Sequence, residues 1–176
     1  MRVSVMIPTR GDVDLGKIMA NLLQYKEVAE VIVEVSNSPY GRYSGAKIAR
    51  CPIVFTQDDD CVPNVRPILD AYAPGIITNV MSGEGASGYV GAETLVGYGA
   101  VFDRSLVAVL NGWERDDVFL RECDRVFTSL NKHRTIIGKT NSLGCATAPN
   151  RLYKQPDHED KVAIIRERIK AWKASQ

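Results

Sequence analysis

Two apolar, largely β-branched runs flank one amphipathic segment at the start of the chain. The run Val3–Ile7 stops at Pro8, which is typical of a buried strand. Between Asp14 and Tyr25 the apolar residues recur every three or four positions, which predicts a helix. The run 31–35 predicts a second strand. Strand, helix and strand within about 35 residues form a βαβ unit, whose two strands are expected to be parallel.

The same patterns predict the remaining elements. Further strands are expected over 53–56, 75–80, 100–102 and 135–137. Helices are expected over 45–50, 64–73, 116–130 and 159–173. The polar stretch 36–44 predicts a loop, and the six glycines of 82–99 predict a mobile loop that leads into the next strand. The order of elements predicts one domain over 1–176, an α/β fold with three layers and a mainly parallel sheet.

Charge and composition narrow the function classes. The chain has 22 basic and 21 acidic residues, so its formal net charge is +1. A chain without a large positive field is not expected to bind nucleic acid specifically. Four cysteines without a CxxC pair, and only two histidines, argue against a zinc finger or a disulfide framework. With no signal-peptide pattern and no apolar run of about 18 residues, we expect a cytoplasmic protein.

The predicted strand 53–56 runs directly into Gln57 and then into three consecutive aspartates, Asp58, Asp59 and Asp60. Ligands of open α/β sheets bind beyond the carboxyl ends of the strands. Adjacent carboxylates repel one another unless a cation neutralises them, and Mg²⁺ or Mn²⁺ takes one or two carboxylates together with substrate phosphate oxygens. We therefore interpret the triplet as a metal site. The alternative is a solvated acidic turn.

A second acidic cluster follows Trp113 at the start of the helix predicted over 116–130. Helix capping accounts well for Asp116. A carboxylate at this position in a partly apolar pocket is also suited to act as a general base. His158, in a polar stretch after a proline, is by default an exposed loop residue. Beside a metal site it is a candidate third ligand.

One glycine motif has a misleading pattern. The segment 83–88 matches GxGxxG, but three more glycines and no helical stripe follow it. We therefore interpret it as a flexible lid, or a plain surface loop, rather than as a dinucleotide-binding fingerprint. The sequence also lacks the GxSxG and P-loop motifs, which argues against a nucleophile-elbow hydrolase and a P-loop NTPase.

Together these features resemble a GT-A fold glycosyltransferase of the family 2-like, DXD-containing type. The resemblance rests on four features: the segment ending Ile7-Pro8-Thr9-Arg10, the βαβ unit, the strand before 58–60, and the acidic pair at a helix start. It spans nearly the whole chain. It implies a nucleotide-diphospho-sugar transferase fold of minimal size. It also implies Mn²⁺- or Mg²⁺-dependent transfer of a sugar from a UDP- or GDP-linked donor to an acceptor hydroxyl.

The resemblance also implies roles for individual residues. Asp58 and Asp60 match the two acidic positions of the DXD element, which bind the ribose side and the metal–diphosphate. Asp117, with Asp116 beside it, matches the catalytic base of inverting members, and His158 loosely matches a late metal-binding histidine. The candidate donor-binding residues are Pro8, Thr9, Arg10, Asn37, Arg42, Lys47, Asp58 and Asp59.

The sequence departs from the family at the end of its second strand. Family 2 members typically carry paired aspartates there, whereas this chain has Glu34 to Ser38, so Asn37 is the candidate for reading the base edge. Two other functions stay open, namely a nucleotidyltransferase that makes a nucleotide-sugar and a non-catalytic nucleotide- or carbohydrate-binding domain. The apolar stripe of the last helix predicts docking on the sheet, with weak contact to an anionic membrane surface as the alternative.

Overall fold

The computed structural model describes residues 1–81, 93–143 and 154–176. Within these ranges eight strands and five α-helices follow one another, with a 3-10 helix at Arg104–Leu110 before the fourth α-helix. The strands are β1 (Val3–Thr9), β2 (Val28–Val35), β3 (Ile53–Thr56), β4 (Cys61–Pro63), β5 (Ile77–Met81), β6 (Ala100–Asp103), β7 (His133–Ile137) and β8 (Thr140–Ser142). The α-helices are α1 (Gly16–Leu23), α2 (Gly41–Ile48), α3 (Val65–Asp70), α4 (Asp117–Leu130) and α5 (His158–Ala174).

Six strands form the main sheet in the order β2-β1-β3-β6-β5-β7. β1 pairs in parallel with β2 and β3, and β5 pairs in parallel with β7. β6 is antiparallel to both of its neighbours, so five strands share one direction and one strand opposes them. The predicted mainly parallel sheet is confirmed. β4 and β8 form a separate antiparallel pair.

Helices cover both faces of this sheet. Every residue of β1 is buried, and its side chains alternate between two hydrophobic clusters, with Met6 in one and Val5 in the other. The first cluster receives Tyr43 of α2, Phe119 of α4 and Ile165 of α5. The second cluster receives apolar residues of α1 and α3. The fold is therefore an α/β fold of three layers, as the sequence predicts.

The polar stretch before β3 contains the clearest error in the predicted elements. Residues 41–44 were predicted to be loop, but they form the first half of α2. Gly41, the glycine of the predicted loop, is instead the first residue of α2. Gly45, inside the predicted helix, serves packing, because a Cβ atom there would overlap the side chain of Met6 in β1. Part of the predicted glycine-rich loop, 82–92, lies outside the described residues. β4 and β8 were not predicted.

The last helix packs against the core as expected. Val162, Ile165 and Ile169 of α5 are buried, and two of them belong to the first hydrophobic cluster. Docking of α5 on the domain is thus confirmed, while membrane-surface contact stays a prediction. Among the described residues, no helix combines the length and the apolar character needed to cross a membrane.

A bidentate ion pair fixes the start of β2 against α3. Both terminal nitrogens of Arg66 donate to the Glu27 carboxylate, at 2.9 and 3.0 Å. These hydrogen bonds lower the pKa of Glu27 from 4.5 to about 2. Because the folded-state pKa is depressed, the stability from this pair is present above pH 4.5 and is lost as the pH falls towards 2.

We therefore expect Glu27→Gln to flatten the pH dependence of stability within this acidic window. The measurement is urea-induced unfolding of wild type and variant between neutral pH and pH 2. Glu167→Gln serves as the control, because Glu167 pairs only at the surface with Lys170, where both side chains are more than two-thirds exposed. Identical curves for wild type and Glu27→Gln would contradict the prediction.

Candidate functional site

The acidic segment lies where β3 ends, at one edge of the main sheet. β1, β2 and β3 are parallel, so their carboxyl ends meet at this edge. β6 runs the other way, and the residues that lead into it therefore reach the same edge from the opposite direction. The backbone N–H of Asp58 donates to the carbonyl of Gly97 at 2.7 Å. This places the acidic segment at the position where open α/β sheets bind ligands.

A buried arginine holds Asp58. Arg42 lies in the first turn of α2, and its side chain is only 3% exposed. Its Nη2 donates to Oδ1 of Asp58 at 2.6 Å, and its Nε donates to the Pro39 carbonyl at 3.2 Å. Nε also lies 3.4 Å from Oδ1 of Asp124 in α4. A buried guanidinium needs such partners, because an unpaired charge in the interior is costly.

Asp124 connects this ion pair to the core. Its Oδ1 accepts a hydrogen bond of 2.7 Å from the hydroxyl of Tyr43, which is fully buried. Burial raises the pKa of Asp124, although Arg42 acts in the opposite direction. When both carboxylates are ionised, Asp58 and Asp124 share a single guanidinium and leave one excess negative charge. Such a surplus favours the binding of a cation at the exposed end of the cluster.

The backbone of Gly97 packs closely against the Asp58 carboxylate, which Arg42 also contacts. A Cβ atom at position 97 would overlap the Asp58 carboxylate. Arg42 thus holds one carboxylate oxygen, and the bare backbone of Gly97 accommodates the other. The Asp58 side chain is nevertheless 31% exposed, so a ligand can reach it. The carboxylate is both fixed in position and accessible, which a binding residue requires.

The described residues do not assemble the predicted three-ligand metal site. They contain no group of three His, Cys, Asp or Glu side chains that could hold a metal ion. His158, the first residue of α5, instead has its Nδ1 3.2 Å from Oε1 of Glu122 in α4. Within the described ranges, His158 therefore does not join Asp58 and Asp60 in a three-ligand group, and its role as a ligand stays a prediction. Asp58 and buried Asp60 supply two carboxylates, so a cation bound there would need further oxygen ligands from outside the described residues.

Asp116 and Asp117 lie at the start of α4 and contact α5. Asp116 is the N-cap residue, and its carboxylate accepts from the Phe119 N–H at 2.9 Å and from Arg168 at 2.7 Å. The capping interpretation of Asp116 is thus confirmed. Asp117 is 64% exposed and pairs with Lys161 at 2.5 Å. The hydrogen bond from Lys161 lowers the pKa of Asp117 below its usual range.

The other predicted donor-binding residues occupy different places. Pro8 and Thr9 are buried at the end of β1, and Arg10 follows them and pairs with Asp12 at 3.4 Å. Asn37 is exposed beyond the end of β2, and Asp59 is half-buried between its acidic neighbours. Lys47 lies near the far end of α2, where its Nζ is 3.3 Å from the side-chain oxygen of Asn111. The structure therefore does not bring Lys47 to Asp58.

A second ionic cluster joins α4 and α5. Glu93 accepts hydrogen bonds from Arg125 and from Arg166, the latter at 2.7 and 2.8 Å. Glu122 accepts from Arg125 at 2.9 Å and contacts His158. The side chains of Glu93, Glu122 and Arg125 are only 5 or 6% exposed. This cluster, in the interior of the helical layer, anchors the segment after 82–92 to both helices.

Sequence reasoning missed three residues of the site, namely Tyr43, Gly97 and Asp124. Asp124 interrupts the apolar stripe of α4, and a charged residue on a buried helix face signals a buried partner. Tyr43 was assigned to a loop, and Gly97 was one glycine among six. Only the pairing of β6 with β3 and β5 brings Gly97 to the carboxyl edge.

Fold and site together define an α/β protein with an arginine-held aspartate at the carboxyl edge of its sheet. No family model matches the sequence, and no curated protein is similar enough to be a relative.

Three solved structures resemble the fold, each with a TM-score below 0.5. A197 from STIV has a TM-score of 0.47 at 12% identity, over 78% of this chain and 82% of its own. The 4-diphosphocytidyl-2C-methyl-D-erythritol synthase from Anaerococcus prevotii has a TM-score of 0.47 at 14% sequence identity, and the match covers 94% of this chain and 98% of the synthase. HddC from Yersinia pseudotuberculosis has a TM-score of 0.45 at 8% sequence identity, and the match covers 92% of this chain and 98% of HddC.

Proposed function

We propose that this protein is a metal-dependent glycosyltransferase that moves a sugar from a UDP- or GDP-linked donor to an acceptor hydroxyl. One observation carries the proposal. Asp58 is fixed by Arg42 and by the closely packed backbone of Gly97, yet its side chain stays 31% exposed beyond the end of β3. An acidic residue held in this way at the carboxyl edge is suited to bind a ribose or a metal–diphosphate.

Arg42 supports a donor site beside Asp58. Its Nη1 is buried, and among the described residues it has no hydrogen-bond partner. Buried polar atoms are rarely left without partners, so Nη1 is a donor available to an oxygen of a bound ligand. Thr9 and Arg10 at the end of neighbouring β1 are proposed to contact the donor nucleotide, as are Pro8, Asn37 and Asp59.

Asp58 and Asp60 are the residues proposed to hold the divalent cation. Mg²⁺ and Mn²⁺ are commonly bound by one or two carboxylates, with phosphate oxygens and water completing the shell. When bound, the cation stabilises the negative charge that develops on the departing nucleoside diphosphate. The excess negative charge shared by Asp58 and Asp124 supports this assignment.

Asp117 is the proposed general base for the acceptor hydroxyl. Its carboxylate is largely exposed, so an acceptor hydroxyl can reach it. The hydrogen bond from Lys161 lowers its pKa, which makes it a weaker base than an unpaired aspartate, so the proposal rests on its position and exposure. Lys161 and Arg121 hold it in place, with nitrogen–oxygen distances of 2.5 and 3.1 Å. Asp116 caps the helix that carries it and thereby positions the base.

We expect Asp117→Asn to lower donor turnover by about a hundredfold or more, because an amide cannot take the acceptor proton. The melting temperature should change little, since the side chain is 64% exposed. Turnover is measured as the release of nucleoside diphosphate. Asp70→Asn, at an exposed site on α3, is the control with wild-type turnover. Unchanged turnover in Asp117→Asn would remove this residue from the mechanism.

A panel of ligands tests the function itself. We expect one class among UDP-, GDP- and dTDP-sugars to stabilise the protein only when Mn²⁺ is also present. A ligand at a hundredfold excess over its Kd adds about 2.7 kcal/mol to the free energy of unfolding. Thermal unfolding with each component alone is the control. Release of pyrophosphate from a nucleoside triphosphate and a sugar phosphate would instead identify a nucleotidyltransferase, and indifference to every ligand would contradict both enzymatic functions.

A further inference from the structure

Both tryptophans of the chain line one cleft between the segment before α4 and the end of α5. The cleft has a volume of about 400 Å³, and its lining includes Trp113, Glu114, Arg168, Trp172 and Ser175. The two indole rings are nearly parallel, at an angle of 28°, with centroids 6.4 Å apart. The chain has only these two tryptophans. The cleft is therefore lined by stacked indoles, and the tryptophan fluorescence of the protein reports on this cleft.

The walls of this cleft are held by contacts outside it. Trp113 stacks on buried Phe119, with ring centroids 6.1 Å apart and an angle of 17°. Arg168 is fixed by its 2.7 Å hydrogen bond to the carboxylate of Asp116. The rings and the guanidinium thus have defined positions before any ligand arrives. Such pre-organisation lowers the entropic cost of binding.

One polar atom of a lining residue has no partner within the part of the chain that the structure describes. The indole nitrogen of Trp113 is buried, and among the residues that the structure describes it has no hydrogen-bond partner. A tryptophan N–H usually finds a partner when it is buried.

The chemistry of the lining selects the class of ligand. Indole faces favour a flat apolar surface, whereas the rim provides an acceptor in Glu114, a donor in Arg168 and a hydroxyl in Ser175. A pyranose sugar combines an apolar C–H face with hydroxyl groups that both donate and accept. The volume of the cleft falls within the range of small-molecule sites, roughly 300–1,000 Å³. A purely apolar ligand would form no hydrogen bonds with the polar side chains at the rim.

We propose that this cleft binds a pyranose. If the proposed glycosyltransferase function is correct, on which this second step rests, the bound pyranose is the acceptor. The position agrees with that role, because only Arg115 separates Trp113 and Glu114 from Asp116 and Asp117 in the chain. Arg168 also links the cleft to Asp116.

Tryptophan fluorescence tests the proposal directly. Wild-type protein is titrated with methyl glycosides of glucose, galactose, mannose and N-acetylglucosamine, without nucleotide or metal. We expect a saturable change in emission for at least one glycoside. Calorimetry on the same glycoside should show about tenfold weaker binding for Trp172→Ala, because the stacking surface is lost. Glu114→Ala, at an exposed position, should also weaken binding and provides a second variant if Trp172→Ala fails to fold.

Ile164→Ala is the matched control, since Ile164 is 43% exposed on α5 and is not part of the cleft lining. Its glycoside affinity should equal that of wild type. The proposal is overturned if no glycoside gives a saturable response up to its solubility limit, or if both Trp172→Ala and Glu114→Ala retain full affinity. A stronger response to free nucleosides than to glycosides would identify a nucleobase site instead. If the protein binds a glycoside but no nucleotide-sugar, the proposal of a sugar site stands and only its role as an acceptor site is contradicted.

Discussion

Asp58→Asn is expected to reduce donor turnover about a hundredfold or more while leaving the fold intact. The substitution removes the charge at the exposed end of the Arg42–Asp58–Asp124 cluster, where the donor or its metal is proposed to bind. Arg42 keeps Asp124 and the Pro39 carbonyl as partners, so the guanidinium is not left without compensation. The stability cost should therefore stay near 1–2 kcal/mol. Turnover assays and urea unfolding of the same preparation separate the two effects.

The control for this experiment is Asp70→Asn, an equivalent change at a site where the carboxylate is 63% exposed. Its turnover should match wild type, and its stability should change by no more than about 0.5 kcal/mol. Should Asp58→Asn turn over donor as fast as wild type, the acidic segment after β3 would have no part in the reaction. Equal loss in the Asp70 variant would point to a general effect of charge.

Glu93→Ala is expected to destabilise the protein by about 3 kcal/mol. Glu93 is 6% exposed and accepts hydrogen bonds from Arg125 and Arg166, so its removal takes a shared partner from two guanidinium groups. Burial raises the pKa of Glu93, but the hydrogen bonds from Arg166 and Arg125 outweigh it and lower the pKa. Because the folded-state pKa is depressed, this stabilisation is present above pH 4.5 and weakens below it.

Urea unfolding at neutral pH measures this loss. Glu167→Ala removes one partner of an exposed pair on α5 and should change the free energy of unfolding by less than about 0.5 kcal/mol. Glu93→Gln keeps the size of the side chain and removes only its charge, so it separates electrostatic loss from cavity formation. A change below 1 kcal/mol in Glu93→Ala would show that the cluster contributes little to stability.

The layered α/β fold follows from patterns within short segments. β1, β2 and β3 are recognised because each is an apolar run of β-branched residues between turn-forming residues, and α4 because its apolar positions follow the helical period. The elements missed or shortened depend on distant partners. Residues 41–44 belong to α2, which packs on β1 because Gly45 lets the helix approach Met6, and β4 is defined by its pairing with β8.

The candidate site was predicted in part, for the same physical reason. A charged triplet after a buried strand marks the carboxyl edge locally, so Asp58 and Asp60 could be singled out. The partners of Asp58 come from α2, α4 and the segment before β6, and pairings between distant segments leave no local signal. His158 shows the converse, because its chemistry suits a metal whereas its position in the fold pairs it with Glu122.

The overlap between a Cβ atom at position 97 and the Asp58 carboxylate links these two positions across related sequences. A chain that keeps the Asp58 carboxylate in this position requires glycine at 97. Alanine or a larger residue at 97 would require the side chain at 58 to turn away from Gly97 or to be smaller. The two positions should therefore covary, and a homologue that has lost the glycine is expected to have lost the aspartate as well.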